Sequence, residues 1–293
     1  MPRTFLVFNP AARGEKSERL RRLLQSKAVL ETTLAQTERP GDATRLAKEA
    51  VAAGYEIVVA AGGDGTINEV VNGMGAHCNA ALGVLPLGTA NVLARELGIP
   101  LAIDQAWETL RRCQIRTIDL GVAEFGNKSR LFVQLAGVGL DARAVRSVSW
   151  RLKKQVGPIS YVWAGLQALR QQKADVEVIA EDIRRSVSGA VVLIGNGQHY
   201  GGPFRLFPQA LLDDGQLDVC VFERAGYLNA CRYGLGILRG THTKLHGVQY
   251  FRSAQLVCRS PTITPVELDG EDAGDTPVTF RVQPRALRVI VPP

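Results

Sequence analysis

Residues 55–69 read YEIVVAAGGDGTINE: a nearly all-apolar run that ends in a glycine pair and passes at once into a short polar stretch. A strand covered on both faces of a sheet carries continuous apolar character rather than alternation. Glycines directly after it let backbone N–H groups approach an anion, and a helix start there adds partial positive charge. The loop is neither GxGxxG nor GxxxxGK followed by Ser or Thr, so it is neither the dinucleotide fingerprint nor the Walker loop. Asp64 inside it repels a phosphate unless a cation intervenes.

Outward from this loop the same grammar repeats. Residues 4–8 (TFLVF) predict a first strand, 15–26 a polar, basic helix, 29–35 a second strand and 42–53 a helix. A fourth strand is expected at 81–85 (ALGVL), with a helix from about 90 to 97. Strands and helices alternating through short links predict a Rossmann-like α/β domain with a parallel sheet and right-handed crossovers. Beyond about residue 115 candidate strands follow one another, at 116–124, 130–135, 175–180, 188–194, 217–222, 248–258, 262–268, 278–282 and 286–291. Helices interrupt them near 159–171 and 227–238. Runs of strands with few helices predict an antiparallel β-sandwich-like domain. The expected division is residues 1–120, rejoined by 284–293, and residues 121–283.

The chain has 293 residues, which favours two domains. A hydrophobic share of 46% and a charged share of 22% exclude a disordered chain and suit a sizeable core. Lys and Arg number 35 against 28 Asp and Glu, a net charge of +7 that points to an acidic partner. Seven cations (Arg143, Arg146, Arg151, Lys153, Lys154, Arg170, Lys173) fall within residues 143–173, which hold no acid and include Trp150, Tyr161 and Trp163. Without them the chain is balanced, with 28 basic and 28 acidic residues. Cations with interfacial aromatics predict peripheral contact with an anionic membrane surface, and no nucleic-acid-binding motif accompanies the charge.

Five scattered cysteines with no CxxC pair read as small buried hydrophobes in a reducing compartment. His242 and His246 could share a helix face, but the four histidines form no metal pattern. The N-terminus lacks a signal peptide and no run of about 18 apolar residues appears, so the expected place is the cytoplasm, peripheral at the inner face of the membrane.

GGDGTINEVVNG at 62–73 resembles the nucleotide loop of the diacylglycerol kinase catalytic-domain family, which includes bacterial lipid kinases and the sphingosine and ceramide kinases. Further matches follow in order: Asn9-Pro10, PLGTAN at 86–91, GVGLDA at 137–142, GNG at 195–197, YGG at 200–202, DDGQLD at 213–218 and ELDGE at 267–271. The resemblance implies an ATP-dependent lipid kinase whose substrate is a diacylglycerol-type or phosphatidylglycerol-type lipid at the membrane surface. It implies an ATP site at Asn9, Thr37, Gly63, Asp64, Gly65, Thr66, Ile67, Asn68, Glu69 and Thr89, and a general base at Glu271. It further implies Mg2+ on the ATP phosphates and at Leu211, Asp214 and Gln216, with Asp64 and Asp119 in a second, water-mediated metal network. Two departures stand out: Val92 replaces the aspartate usual after PLGTxN, and Pro203 replaces a third glycine after Tyr200. A NAD kinase shares GGDG and ATP use, and a catalytically silent nucleotide- or lipid-binding protein is the rival of another class. The sequence permits a homodimer and does not select it.

Overall fold

Short apolar strands followed by helices with one apolar stripe build the first of two units into which the chain divides. The computed structural model describes residues 2–10, 15–25, 32–147 and 175–293. The first unit comprises Met1–Leu120, Gly201–Pro203 and Gln283–Pro293. Its elements are β1 (Thr4–Phe8), α1 (Glu15–Gln25), β2 (Thr32–Gln36), α2 (Asp42–Ala52), β3 (Ile57–Gly62), α3 (Asp64–Met74), β4 (Ala81–Pro86), α4 (Val92–Glu96), α5 (Ile103–Arg112) and most of β5 (Gln114–Phe125). Within it β2, β1, β3 and β4 are parallel neighbours in that order, in register from Thr4 beside Ile57 to Phe8 beside Ala61. Every residue of β3 and β4 is buried, as their unbroken apolar sequence requires. Their carboxyl ends all point one way, the end at which open α/β sheets bind ligands.

The second unit, Gly121–Tyr200 with Phe204–Val282, is strand-rich. It holds β6 (Lys128–Phe132), β7 (Leu135–Gly139), α6 (Leu140–Ser147), β8 (Val176–Ala180), β9 (Arg185–Gly189), β10 (Val191–Gly195), β11 (His199–Tyr200), β12 (Phe204–Arg205), β13 (Leu217–Phe222), α7 (Tyr227–Leu238), β14 (Val248–Ser253), β15 (Gln255–Arg259), β16 (Pro265–Leu268), β17 (Glu271–Asp275) and the start of β18 (Val278–Val291). A six-stranded antiparallel sheet runs β14-β13-β10-β7-β16-β17. Side chains alternate across it. Val192, Ile194, Leu217, Val219 and Val221 join one core with Val176, Val178, Phe132 and Phe280, while Leu193, Cys220 and Phe222 join another beneath α7. The protein therefore pairs an N-terminal α/β parallel-sheet unit with a C-terminal antiparallel β unit.

Several boundaries differ from those expected. The strands expected at 130–135, 188–194 and 248–258 each straddle two strands. The pair expected at 278–282 and 286–291 is one strand, β18, whose Arg285 has φ +50° beside the N–H-less Pro284. There the strand exchanges β15, its antiparallel neighbour, for β4, its parallel one. Cys220 and Cys258 are buried but Cys231 is exposed, so the reading of all five as buried hydrophobes does not hold. His242 is buried and lies in a three-residue 3-10 turn that ends at Lys244, before His246, so the two share no helix face. The helix expected at 159–171 lies outside the described residues, as do Trp150, Tyr161, Trp163 and five of the seven cations of 143–173. Among the described residues no helix is long and apolar enough to cross a membrane.

Candidate active site

In the first unit, the carboxyl ends of β1, β3 and β4 are bound into one cluster. Gly63 leaves β3 in extended backbone and α3 begins at Asp64. A Cβ on Gly88 would lie 2.6 Å from the Gly63 Cα, which is main chain and cannot yield, so the two loops meet as bare backbone. Leu87 N–H donates to the Gly62 carbonyl at 2.9 Å. Asn91, buried at φ +49°, holds the turn after β4 closed: its Oδ1 accepts the Gly88 N–H and its Nδ2 donates to the Gly88 carbonyl. The Asn9 amide donates to Thr66 Oγ1 at 2.9 Å, tying β1 to the first turn of α3. The first N–H groups of a helix have no carbonyl in their own helix to meet. With the helix dipole they make this end a place for phosphate oxygens.

Asn9, Gly63, Asp64, Gly65 and Thr66 thus lie together at one end of the sheet. Thr37 is buried beside them, its N–H donating to the Phe8 carbonyl, and Thr89 is exposed in the Gly88–Asn91 turn. The other expected ATP contacts face elsewhere. Ile67 is in the core, and Asn68 is buried with its carbonyl groups accepting from the Asn72 amide. The Glu69 carboxylate accepts the N–H groups of Gly41 and Ala43 and so anchors the loop into α2. Asp42 anchors the same loop from within, accepting from Glu38 and Arg39, whose N–H groups hold its carboxyl below the usual range. The Val92 departure has a simple outcome. The Val92 N–H donates to Asp64 Oδ1 at 2.7 Å, so main chain orients Asp64 whatever side chain stands at 92. Asp119, buried in β5, accepts the Arg285 N–H at 2.7 Å.

In the second unit, Glu271 opens β17 after a tight turn. The Asp269 carboxylate accepts three consecutive N–H groups, from Val133, Gln134 and Leu135, at 2.8–3.0 Å. Buried Glu267 accepts the Gly270 N–H at 2.7 Å, and the Asn196 amide donates to the Val133 carbonyl. This turn is therefore stitched to the entry of β7, and Glu271 leaves it partly exposed, with Oε2 3.5 Å from Arg130 Nη2. From α6, Arg146 grips the same hairpin through Asp272, Asp275 and the Gly274 carbonyl. One cation of the expected membrane segment is thus committed to this hairpin. Sequence reading missed Arg130 and Arg146 as neighbours of Glu271; both partners lie more than a hundred residues away, and no local pattern marks them.

The expected Mg2+ donors give a different picture. Asp214 is ion-paired to the Arg252 guanidinium, and its Oδ1 accepts the Gln216 N–H at 3.0 Å. Arg252 also lies 3.4 Å from Asp218, whose Oδ1 accepts the Tyr250 hydroxyl. Burial pushes Asp218 up to about 6, against the opposing pull of Tyr250 and Arg252. Leu211, whose backbone was the third expected donor, has an exposed side chain. A guanidinium thus already pairs with Asp214, the one charged donor of the expected Mg2+ set. Among the described residues no three acidic, His or Cys side chains gather as a metal site. At Asp64 the donor type does fit, since a main-chain-fixed carboxylate at a phosphate loop offers the hard oxygen that Mg2+ takes.

Both parts of the chain match models of known families. Residues 3–123 match the model of the diacylglycerol kinase catalytic domain, and residues 134–291 that of the YegS C-terminal NAD kinase beta sandwich-like domain. A Bacillus subtilis protein named diacylglycerol kinase is 32% identical over 300 residues, covering 100% of this chain and 97% of that protein. A crystal structure of a diacylglycerol kinase from Bacillus anthracis superposes with a TM-score of 0.80 at 22% identity, over 100% of this chain and 98% of that one. An Archaeoglobus fulgidus NAD kinase solved with ATP reaches a TM-score of 0.51 at 11% identity, over 98% and 93% of the chains. The two structures share the fold with this chain.

Proposed function

Because the chain belongs to the diacylglycerol kinase family, we propose that it transfers the γ-phosphoryl group of ATP to the hydroxyl of a diacylglycerol-type or phosphatidylglycerol-type lipid. The observation that carries the nucleotide half is the bare-backbone approach of Gly63 and Gly88 beside the first turn of α3, a helix end suited to phosphate oxygens. Around it Asn9, Thr37, Thr66 and Thr89 supply amide and hydroxyl groups, while Gly65 keeps the first helical turn free of bulk. Glu69, Ile67 and Asn68 support the loop from behind. Asp64 is the carboxylate that would hold Mg2+, and the ion, when bound with ATP, would supply neutralisation of the phosphate charge.

Glu271 is the general base. It takes the proton of the lipid hydroxyl as that oxygen attacks the γ-phosphorus; the bond to the β-phosphate oxygen breaks and ADP leaves. Positioning by Asp269 and Glu267 suits this work, because a base must meet one proton in one place. Such an enzyme works at the cytoplasmic face of a membrane. The NAD kinase likeness is one of fold alone, and no observation favours a nicotinamide substrate.

The test is phosphate transfer to detergent-dispersed diacylglycerol by the parent and by Gly88→Ala. The added methyl must displace the Gly63 backbone, so transfer should fall at least about a hundredfold with far-ultraviolet circular dichroism unchanged. Full activity in Gly88→Ala would contradict the loop's role.

A further inference from the structure

Helix α7 wears its apolar face outward. On its inner side Tyr233 packs against Phe222, with ring centroids 4.9 Å apart, and Ile237 joins the core beneath. On its outer side Leu228 is 89% exposed, Leu238 67%, Leu235 47% and Tyr227 46%, with Cys231 exposed among them. At 3.6 residues per turn these five positions share one arc of about 100°. A helix that shows such an arc to water is an anomaly for a globular surface, where the outward face is normally polar.

Between Glu223, whose carboxylate lies beside Gly247 with the Arg232 guanidinium, and Glu267 the sequence carries charge of one sign. Residues 224–266 contain six cations (Arg224, Arg232, Arg239, Lys244, Arg252 and Arg259) and no acid. Arg252 is committed to Asp214 and Asp218, and Arg232 donates to the His246 carbonyl. Arg232 and Arg239 follow the apolar arc along one edge of the helix, and exposed Arg224 and Lys244 lie in the segments on either side of it. An apolar stripe edged by cations is the pattern of a helix that lies in a membrane interface. A second copy of this chain fits less well, because a two-fold pairing of the face would bring its cationic edges together.

We propose that α7 docks on an anionic bilayer, with Leu228, Leu235 and Leu238 entering the apolar layer and Arg232 and Arg239 meeting lipid phosphates. This rests on the reading that the substrate is a lipid, and it places the membrane contact outside residues 143–173.

Flotation with phosphatidylcholine vesicles, with and without about one-third phosphatidylglycerol, tests it. Three proteins are compared: the parent, Leu228→Asp/Leu235→Asp, and Arg239→Gln/Lys244→Gln. Transfer to a short-chain diacylglycerol dissolved in water is measured in parallel. The parent should partition onto anionic vesicles at least about tenfold better than onto neutral ones. The leucine variant should lose at least about tenfold and the cation variant several-fold, both with unchanged transfer to the dissolved lipid. Flotation of the leucine variant equal to the parent's overturns the proposal. So does a dimer, seen by sedimentation, that the leucine variant abolishes while flotation stays the same. Vesicle binding that depends on these leucines in a protein that phosphorylates no lipid supports the docking face and removes the kinase reading instead.

Discussion

Two acidic Asp-Gly turns of the second unit, Asp213-Asp214-Gly215 and Asp269-Gly270-Glu271, are nearly interchangeable as sequence and opposite as structure. In the first, the carboxylate of Asp214 faces inward to Arg252, and the turn closes on its own charge. In the second, Asp269 spends its carboxylate on three backbone N–H groups. The neighbouring acid, Glu271, is thereby presented on a rigid hairpin. The difference teaches that an acidic turn becomes a candidate catalytic group when another acid beside it does the structural work. Where the acid's own carboxylate takes up a guanidinium, as Asp214 does with Arg252, it is an ion pair.

The largest expected effect is on Glu271. Glu271→Gln should lower lipid phosphorylation by about a hundredfold to ten-thousandfold with an unchanged melting temperature; equal activity would make the two turns alike. Asp269→Ala comes next. It leaves three N–H groups without their acceptor and should cost about 3 kcal/mol, or roughly 6–12 °C in Tm, read by thermal unfolding. A Tm within about 2 °C of the parent would show that the stitching is not structural.

Asp218→Asn follows. The folded carboxyl binds its proton more tightly than the unfolded one, with a pKa of about 6 against 3.8. The stability this group contributes is therefore fully present below about pH 4 and is lost as pH rises through 6. The parent should lose up to about 3 kcal/mol across that window relative to Asp218→Asn, measured by urea unfolding at a series of pH values. Parallel curves would dismiss the shift. The smallest effect belongs to Asp214→Asn, expected to keep transfer within about fivefold of the parent. A loss as deep as that of Glu271→Gln would restore this turn to the active site.

Much of the architecture was readable locally. The all-apolar strands at 57–62 and 81–86 declare a doubly covered sheet, and the order of strands and helices declares its parallel character. The glycines of the loop were visible too, but the reason for Gly88 was not, because it concerns a contact with Gly63 across 25 residues. The same limit hid Arg252 from Asp214 and Arg130 from Glu271. Charge patterning locates a surplus along the chain, yet pairing in space decides which cations face solvent, and Arg146 in the 143–173 run is bound to Asp272 and Asp275. The long β18 looked like two strands because Pro284 breaks the local pattern, while its neighbours on both sides carry it through.

The most direct test of the central claim is thin-layer separation of the products formed from radiolabelled ATP and a total lipid extract. The parent should place label on a lipid hydroxyl, and Glu271→Gln should place at most about a hundredth as much there. Label on lipid at equal rates with both proteins, or label transferred instead to a nicotinamide dinucleotide, would contradict it.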